Sequence, residues 1–457
     1  MPKVFKPFEF MKKAMAVGDI WRLLQHGFGR SLMFKHSAIL LGSSTVAALF
    51  TYLFNLFIGK TFSPAEYSAF GVLFSIFLVM STAFTQVGFV IIRFVSEFLA
   101  RGQTGKVAML LRYATRAAFI AGLIVFAADW VFSRQISALL KIPTVTPVIF
   151  LGVFLWAHFV VAMYFAFLNG AQKFLSLGLN RIVETSVVLV VGVTMVRLGF
   201  GVPGAIFGMM IGAIATLPVS RYSLRAITRV QPIRLGHIGF RKYFLFATLV
   251  AGSIALIQNI DLILVKILFS EHNAGLYSAT VIMGSVGFFI STIFAAVVFP
   301  KAAKAQVTRK DSVLILIRGL LYTFLAGMGM ILAYFFLPST AVNLLYGPDF
   351  QPIGQWLWIY AVAMLFLSLS NIFSVYSLAL QDRKVVFIVM PMLAVKALAV
   401  WLFHPNIQAV VYIVLLIEAV HLWLHISFNL HRLKDYHERH ILKRISTFKL
   451  QGRKLRL

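Results

Sequence analysis

The feature that most restricts the fold is a succession of apolar runs, each about 20 residues long, along nearly the whole chain. One of them, 147–169, reads PVIFLGVFLWAHFVVAMYFAFLN and has no acidic residue, lysine or arginine. As a helix, such a run crosses the hydrocarbon core of a bilayer, which is about 30 Å thick. Twelve runs are predicted to be transmembrane helices: 37–59, 69–92, 109–133, 147–169, 175–198, 203–220, 243–268, 276–299, 313–337, 355–379, 385–403 and 408–430. The chain is therefore predicted to be an all-α polytopic membrane protein.

The basic residues predict the orientation of these helices. The formal net charge is +28 at pH 7, which in a soluble chain would suggest nucleic-acid binding. In a polytopic protein the cytoplasmic loops collect Lys and Arg and lie against anionic lipids, so membrane lipids are the predicted partner and nucleic acid is not. Lys and Arg concentrate in residues 1–36, in 431–457 and in the even-numbered turns. Both termini are therefore predicted to be cytoplasmic.

The two ends of the chain are predicted to be basic cytoplasmic segments, 1–36 and 431–457. No cleavable signal peptide is apparent, because the basic start is long and the first apolar run continues to a full span. Residues 8–33 mix basic and apolar side chains, a pattern typical of a helix lying on the membrane surface and also of a solvated tail. The chain has no cysteine, so disulfides and thiol chemistry are excluded.

The sequence contains a weak internal repeat. Residues 56–74 and 263–282 both place a lysine at the outer end of a helix, then Phe-Ser, a short polar turn and an aromatic residue. Fainter matches pair 136–143 with 341–348 and 169–174 with 379–384. Since six helices per copy is an even number, the halves keep one orientation, with a pseudo-twofold axis along the membrane normal and a cavity between them. The predicted lobes are 37–220 and 243–430, joined by a cytoplasmic linker at 221–242.

Four stretches carry a resemblance to a known family. They are LFNLFIGKTFSPAEYSAFGVLFSI, FLNGAQKF, NIDLILVKILFSEHNAGLYSA and NLLYGPDFQP, which occur in this order among the helices between 37 and 430. The chain resembles the Wzx-type flippases of polysaccharides and lipid-linked oligosaccharides, in the MOP exporter superfamily. The resemblance implies a V-shaped pair of lobes, alternating access, and a cavity lined largely by helices 1, 2, 7 and 8. It also implies a glycan carried on undecaprenyl diphosphate, a location in the bacterial inner membrane, and polysaccharide assembly proteins as partners.

Polar residues inside the spans are candidate site residues, because a charge at the bilayer centre costs about 2.5–3.5 kcal/mol on insertion scales. Asp261 lies in the outer third of the seventh helix beside Gln258 and Asn259 and is predicted to face the cavity. Lys266 lies near the outer rim, where it either snorkels to the interface or borders the cavity mouth. The five-residue separation places Lys266 about 140° from Asp261, so the two cannot pair on one helix face. Asn55 on the first helix is a further cavity candidate.

Three further cations are candidates for contact with a diphosphate. Lys60 holds the position in the first half that Lys266 holds in the second. Arg93 near the inner end of helix 2 and Arg181 in helix 5 are predicted to meet the diphosphate from the cytoplasmic side, since a guanidinium binds phosphate oxygens in pairs. The positive-inside rule alone also explains Arg93, and Arg181 could instead pair with Glu184 at i,i+3.

Lys396 and Glu418 form a separate, structural prediction. Helices 11 and 12 make a tight hairpin around 404–406, which brings both residues near mid-depth, and an unpaired charge there is costly. We expect them to pair across the hairpin, with Lys396→Leu alone more harmful than the double change. Glu418, His421 and His425 share one helix face at i, i+3 and i+7. The second Glu-x-x-His of a di-metal site is missing, so no metal is predicted; histidines satisfied in the bundle or a proton relay are the alternatives.

No cofactor is predicted. The GKT at 59–61 is not a phosphate loop, because Phe54 stands where the first glycine of that motif belongs and the segment lies within a membrane helix. Energy for transport would come from an ion gradient or from the membrane potential. Exporting a lipid anion of about two charges is downhill by roughly 2.3 kcal/mol per charge per 100 mV.

Two other function classes remain as alternatives. A small-molecule exporter on the same fold would want an acidic pocket for organic cations, whereas the spans hold more basic than acidic groups. A glycan polymerase or ligase would need a sizeable outer loop with a spaced pair of carboxylates, and the connections near 134–146 and 338–354 are short and poor in acids. The chain is predicted not to be an enzyme. Lipid II flippases usually have more helices than the twelve predicted here, which argues against a peptidoglycan precursor.

Overall fold

The computed structural model describes residues 32–233, 241–307, 312–380 and 382–453. Helices and short turns account for these residues, and no β-strand occurs among them. The long helices are α1 (Leu32–Thr61), α2 (Pro64–Ala100), α3 (Thr104–Val131), α4 (Thr146–Gly170), α5 (Phe174–Met195), α6 (Gly201–Ser223), α7 (Arg241–Leu268), α8 (Glu271–Gly284 and Val286–Val307, interrupted at Ser285), α9 (Val313–Phe336), α10 (Leu357–Ala379), α11 (Val386–Leu402) and α12 (Ile407–Arg453). The fold class predicted from the sequence, an all-α polytopic protein, is confirmed.

Eleven segments of the described chain are long and apolar enough to cross a membrane. One of them, Phe174–Ser223, has 50 residues, which at about 1.5 Å per residue is more than twice the thickness of the hydrocarbon core. It contains both α5 and α6, which reverse direction at Gly199, where φ is 88°. The two helices pack against each other, and a side chain at Gly208 of α6 would collide with the backbone of Gly192 of α5. The eleven segments therefore contain twelve crossings.

The repeated Phe-Ser motif caps equivalent helices. Ser63 precedes α2 with φ −62° and ψ 159°, and Ser270 precedes α8 with φ −65° and ψ 156°. The Ser63 hydroxyl accepts from Glu66 N, and Glu66 in turn accepts from Ser63 N at 3.0 Å. Ser270 accepts from Asn273 N. The motif recurs because both helices need an N-cap for their free amides.

The two halves of the chain share one packing scheme. In the N-terminal lobe α1 packs on α5, α2 on α4, α3 on α4, α4 on α6 and α5 on α6. In the C-terminal lobe the same five pairings recur six helices later, so that α4 and α10 are the central helices. Even the short helices Ser133–Leu139 and Pro338–Leu345 occupy matching connections, after the third helix of each lobe. The lobes meet where α2 packs on α7 and α8.

Some boundaries differ from the sequence-based prediction. Helix α2 begins at Pro64 and continues to Ala100, well beyond the apolar run, because its N-cap and its amphipathic last turns extend it. Helix α12 continues from the membrane into the basic segment and ends at Arg453. The proposed surface helix within 8–33 falls almost entirely outside the described residues, as does the middle of the linker, 234–240.

Candidate functional site: the lobe interface and a buried ion cluster

The lobes are joined at one end of the bundle, which we call the Tyr67 end; the opposite end is the Arg93 end. The hydroxyls of Tyr67 on α2 and Tyr346, just after the short helix Pro338–Leu345, are 2.9 Å apart and buried. The ring of Phe350 packs edge-on against Tyr67, with 5.6 Å between centroids. Burial raises the pKa of Tyr346 well above its usual range, which keeps the hydroxyl protonated for this bond.

Two lysines, one from each lobe, donate hydrogen bonds across the interface at the Tyr67 end. Lys266 Nζ of α7 donates to Ser68 Oγ at 2.7 Å and to the Lys141 carbonyl at 3.3 Å. Lys141 Nζ donates to the Phe269 carbonyl at 2.8 Å. Lys266 is 1% exposed. It therefore neither snorkels nor borders an open mouth in this conformation, because its ammonium donates to two oxygens of the opposite lobe.

Small residues let the two lobes approach closely at the same end. Gly275 of α8 lies directly against the backbone of Pro64. A side chain at Gly71 of α2 would start 2.8 Å from the Ser278 side chain of α8. Both contacts leave no room for a methyl group. Together with the tyrosine and lysine bonds, they form what we call the seal, which closes the lobe interface at the Tyr67 end.

Helix α2 extends the lobe-facing surface to the Arg93 end. Arg93 follows Ser68 by 25 residues, which is close to seven full helical turns at about 3.6 residues per turn. Arg93 therefore lies on the face of α2 that meets α7 at the seal, yet its side chain is exposed. On the opposite lobe the second part of α8, Val286–Val307, packs on α9 and α10 of its own lobe. The interface that is closed at the Tyr67 end leaves Arg93 open to the surroundings.

The remaining candidate site residues of the N-terminal lobe do not contact one another in the described part of the chain. Arg181 is exposed and stacks over the Phe165 ring at 5.8 Å. Its expected partner Glu184 instead lies 3.7 Å from the His158 ring, and no Arg181–Glu184 ion pair occurs in the described part of the chain. Asn55 donates to the carbonyl of the preceding turn of α1 at 2.8 Å. Lys60 is exposed at the Tyr67 end.

The C-terminal lobe encloses an ion cluster. Lys396 Nζ of α11 lies 3.2 Å from Glu418 Oε1 of α12, the partner that the sequence predicts for it. The same ammonium lies 3.3 Å from Asp261 Oδ1 of α7 and donates to the Ile257 carbonyl at 2.6 Å. All three charged side chains are 0% exposed. An ammonium that has left water is thereby surrounded by three oxygens, which is the condition for tolerating it in a membrane interior.

Asp261 is held by two tyrosines as well as by Lys396. Tyr277 of α8 donates to Asp261 Oδ2 at 2.5 Å, and Tyr360 of α10 donates to the same oxygen at 3.0 Å. Asp261 therefore faces the interior of its own lobe, and not the space between the lobes that the sequence suggested. Beside it, Asn259 is buried and bonds the backbone of its own helix, and Gln258 is also buried. Sequence reasoning missed the tyrosines, although Tyr277 is the conspicuous aromatic of the repeated motif.

The polar face of α12 continues from the cluster toward the Arg93 end. His421 Nδ1 lies 3.2 Å from Glu418 Oε2, and its ring centroid is 5.0 Å from that of His425. His425 Nε2 lies 3.3 Å from the Ser374 hydroxyl, and Asn429 donates to the His425 carbonyl. His421 Nε2 and His425 Nδ1 are buried without a hydrogen-bond partner. Among the described residues, no group of three or more His, Asp or Glu side chains has a geometry that could hold a metal ion.

Comparison with known proteins identifies a family for this chain and solved structures with a similar fold. A polysaccharide biosynthesis protein family matches residues 63–355, well over half of the chain. A search of curated proteins found no match. The fold is similar to that of a multidrug resistance MATE family transporter of the MOP superfamily in an inward-facing conformation, with a TM-score of 0.71, 13% identity, and coverage of 86% of this chain and 96% of that one.

Two further solved structures share the fold. An outward-facing conformation of a multidrug resistance MATE family transporter aligns with a TM-score of 0.64 and 13% identity, over 91% of this chain and 98% of that one. A MOP superfamily transporter from Pyrococcus furiosus aligns with a TM-score of 0.64 and 14% identity, over 87% and 94%. At such identities the likeness concerns the fold alone. The two six-helix lobes have the fold of MATE transporters of the MOP superfamily, and the chain belongs to the polysaccharide biosynthesis protein family.

Proposed function

We propose that the protein is a flippase that moves a polyprenyl-diphosphate-linked oligosaccharide across the bacterial inner membrane by alternating access. The observation that carries this proposal is Arg93, an exposed guanidinium on the lobe-facing surface of α2, about seven helical turns from the seal. A guanidinium offers paired donors to phosphate oxygens. Membership of a polysaccharide biosynthesis family supports a glycan as the other part of the substrate.

The distribution of basic residues assigns the Arg93 end to the cytoplasm. On that assignment the seal closes the periplasmic side, and Arg93 is accessible from the cytoplasmic side. The lipid diphosphate enters from the inner leaflet and meets Arg93, with Arg181 as a second contact on the N-terminal lobe. Export then requires that the seal separates, so that Lys266 loses Ser68 and Tyr67 loses Tyr346, while the Arg93 end closes.

The energy for export follows from the charge of the substrate. A diphosphate of about two negative charges leaves a negative interior with a gain of roughly 2.3 kcal/mol per charge per 100 mV. Bilayer lipids and other polysaccharide assembly proteins are the proposed partners. An export rate in proteoliposomes that does not respond to voltage or to a pH gradient would contradict this source of energy.

A small-molecule exporter is the second candidate, because the solved structures with this fold include multidrug resistance transporters. Organic cations need an acidic pocket. Here the acidic residues of the C-terminal lobe interior, Asp261 and Glu418, are occupied by Lys396, while the exposed charge on the lobe-facing surface of α2 is Arg93. This arrangement favours an anionic substrate.

The decisive experiment uses cells that lack the protein. We expect lipid-linked glycan to accumulate in the inner leaflet, and the intact chain to clear it. Arg93→Ala should lower the export rate by about tenfold or more, since a charged hydrogen bond contributes about 1.5–3 kcal/mol; Arg93→Lys should retain part of it.

Arg101→Ala is the matched control, because Arg101 lies at the same end of α2 but pairs with Glu97 at 2.9 Å on the surface. Its export rate should stay within about twofold of the intact chain, as expected for a surface ion pair. Equal losses in Arg93→Ala and Arg101→Ala would indicate a general effect of positive charge at this end, and would refute the specific role of Arg93.

A further inference from the structure

Helix α3 carries two exposed arginines that the proposed transport site does not use. Arg112 and Arg116 are four residues apart and so lie on the same side of the helix, one above the other. The buried residues of α3, among them Leu111 and Gly122, lie on another side, where Gly122 packs against Trp156 of α4. Within the described part of the chain, no acidic side chain forms an ion pair with either arginine.

The backbone of Arg116 lies inside the hydrocarbon core of the membrane. Helix α3 has 28 residues, which give about 42 Å at about 1.5 Å per residue, and Arg116 is about 18 Å from its first residue. A core of about 30 Å contains this point wherever it is placed along the helix. Arg112 is one turn nearer the start. An unpaired charge in the core is costly, so the guanidinium of Arg116 has to reach a polar partner.

The equivalent helix of the C-terminal lobe, α9, provides an internal comparison. Counted from the first residue of each helix, the stretch LRYATRAA at 111–118 corresponds to LLYTFLAG at 320–327. Tyr113 and Tyr322 then occupy the same position, and both are exposed. A leucine two residues before each tyrosine and an alanine four residues after it also coincide. The two helices therefore present the same side to their surroundings at the same depth.

At the two arginine positions α9 has leucine. Leu321 and Leu325 are 49% and 58% exposed, as expected for side chains that meet acyl chains. The nearby Arg318 lies about 8 Å from the start of α9, close enough to the headgroups to be explained by the positive-inside rule. The fold therefore does not require arginine at either position. The N-terminal lobe has two cations where the other lobe has leucines, and these cations need an anion.

The direction of α3 determines which anion the arginines can reach. Side chains of a helix lean toward its N-terminus, and α3 begins at the Arg93 end, to which the basic residues assign the cytoplasm. A long arginine stem follows the apolar surface in that direction and places its guanidinium at the level of the headgroups. There the lipids of the cytoplasmic leaflet offer phosphate oxygens, which a guanidinium binds in pairs. A phosphate between the two arginines also removes the repulsion between like charges one turn apart.

We propose that Arg112 and Arg116 bind the headgroup of an anionic phospholipid of the cytoplasmic leaflet, on the outer side of α3. The binding is electrostatic, and no covalent bond forms or breaks. The corresponding side of α9, with its two leucines, meets acyl chains without selecting among headgroups. The site depends on the charge and depth of the two arginines and not on the substrate that the protein transports.

The test measures which lipids surround α3. The chain has no cysteine, so a single fluorescent label can be attached at Ala117→Cys, next to Arg116, or at its counterpart on α9, Ala326→Cys; both positions are at least partly exposed. The full-length protein is reconstituted in mixed vesicles of phosphatidylcholine and phosphatidylglycerol, and one lipid or the other carries brominated acyl chains that quench the label. At Ala117 phosphatidylglycerol should be preferred by about fivefold or more, the effect of one basic residue near an anionic surface, and at Ala326 by less than about twofold.

Two exchanges between the lobes assign the preference to the arginines. Arg112→Leu combined with Arg116→Leu copies the residues of α9 and should abolish the preference at the Ala117 label. Equal preferences at the two labels in the otherwise unaltered chain, or a preference at Ala117 that this double variant retains, would overturn the site.

The reverse exchange keeps the test decisive if the first variant does not fold. Leu321→Arg combined with Leu325→Arg should create the preference at the Ala326 label, and an unchanged Ala326 label would contradict the assignment to the two arginines. If far less polyprenyl diphosphate than phosphatidylglycerol removes the preference at Ala117, the occupant is the diphosphate lipid and the phospholipid assignment is wrong. Because quenching does not depend on transport, a failed flippase assay would leave these results intact.

Discussion

The N-terminal and C-terminal lobes pair their helices in the same way but fill one equivalent interface with different chemistry. Between α5 and α6, Asn180 accepts from the Ser220 hydroxyl at 2.8 Å and donates to Ser223 Oγ at 3.1 Å. Between α11 and α12, the corresponding helices, the contact is the ion pair of Lys396 with Glu418. Neutral side chains are therefore sufficient to join this pair of helices.

The difference shows that joining this pair of helices does not require ions. A buried ion pair is often no more stabilising than apolar residues of the same volume, because both charges lose their hydration. An amide and hydroxyls join α5 and α6 without that cost. In the C-terminal lobe a single ammonium, that of Lys396, instead connects α11 with both α7 and α12.

Removing Lys396 should have the largest effect. Lys396→Met leaves Asp261 and Glu418 buried without their cation, and breaking a buried pair in this way costs about 3–5 kcal/mol. The double variant with Glu418→Gln should recover part of the loss, and a triple variant with Asp261→Asn should recover more. Thermal unfolding in detergent measures the series; equal losses in all three variants would contradict the shared role of Lys396.

Lys266 tests the junction between the two lobes. Lys266→Met removes the ammonium from Ser68 and from the Lys141 carbonyl, and hydrogen bonds to charged groups contribute about 1.5–3 kcal/mol. We expect a shift toward separated lobes at the Tyr67 end, seen as longer distances between spin labels at Arg134→Cys and His272→Cys, two exposed positions at that end of opposite lobes. Unchanged distances would show that the glycine contacts hold the seal without the lysine.

Asn180 provides the neutral counterpart of the first prediction. Asn180→Ala should destabilise the N-terminal lobe by about 0.6 kcal/mol and at most about 1.7, the range for polar contacts between membrane helices. Thermal unfolding under the same conditions as for Lys396→Met gives the direct comparison. A loss of stability as large as that of Lys396→Met would mean that the neutral α5–α6 contact and the ionic α11–α12 contact are energetically alike.

Tyr346→Phe should have a smaller effect on the seal than Lys266→Met. The ring of Tyr346 keeps its contacts with Tyr67 and Phe350, and the loss is one neutral hydrogen bond, about 0.5–1.5 kcal/mol. The spin-label distances should shift in the same direction as for Lys266→Met, but less. A larger shift than that of Lys266→Met would mean that the hydrogen bond between Tyr67 and Tyr346 contributes more to the seal than Lys266 does.

The number of helices and the residues at which they begin could be predicted, because both depend on local patterns in the sequence. An apolar run of about 20 residues has to become a helix in a bilayer, since no water is present to satisfy its backbone groups. The Phe-Ser repeat predicted matching helix starts, and Ser63 and Ser270 cap equivalent helices. The pairing of Lys396 with Glu418 followed from the short hairpin that joins their helices, because its length leaves few registers.

What the sequence determined by itself is the helices, their number and the positions of costly charges; which partners those charges take was decided only by the tertiary structure. Asp261 and Lys396 lie far apart in the chain and meet because α7 and α11 pack in one lobe. Lys266 reaches oxygens of the other lobe, which no local pattern specifies. The physical reason is that hydrophobicity and capping act over a few residues, whereas the partner of a buried charge depends on which helix faces are brought within about 3 Å of each other.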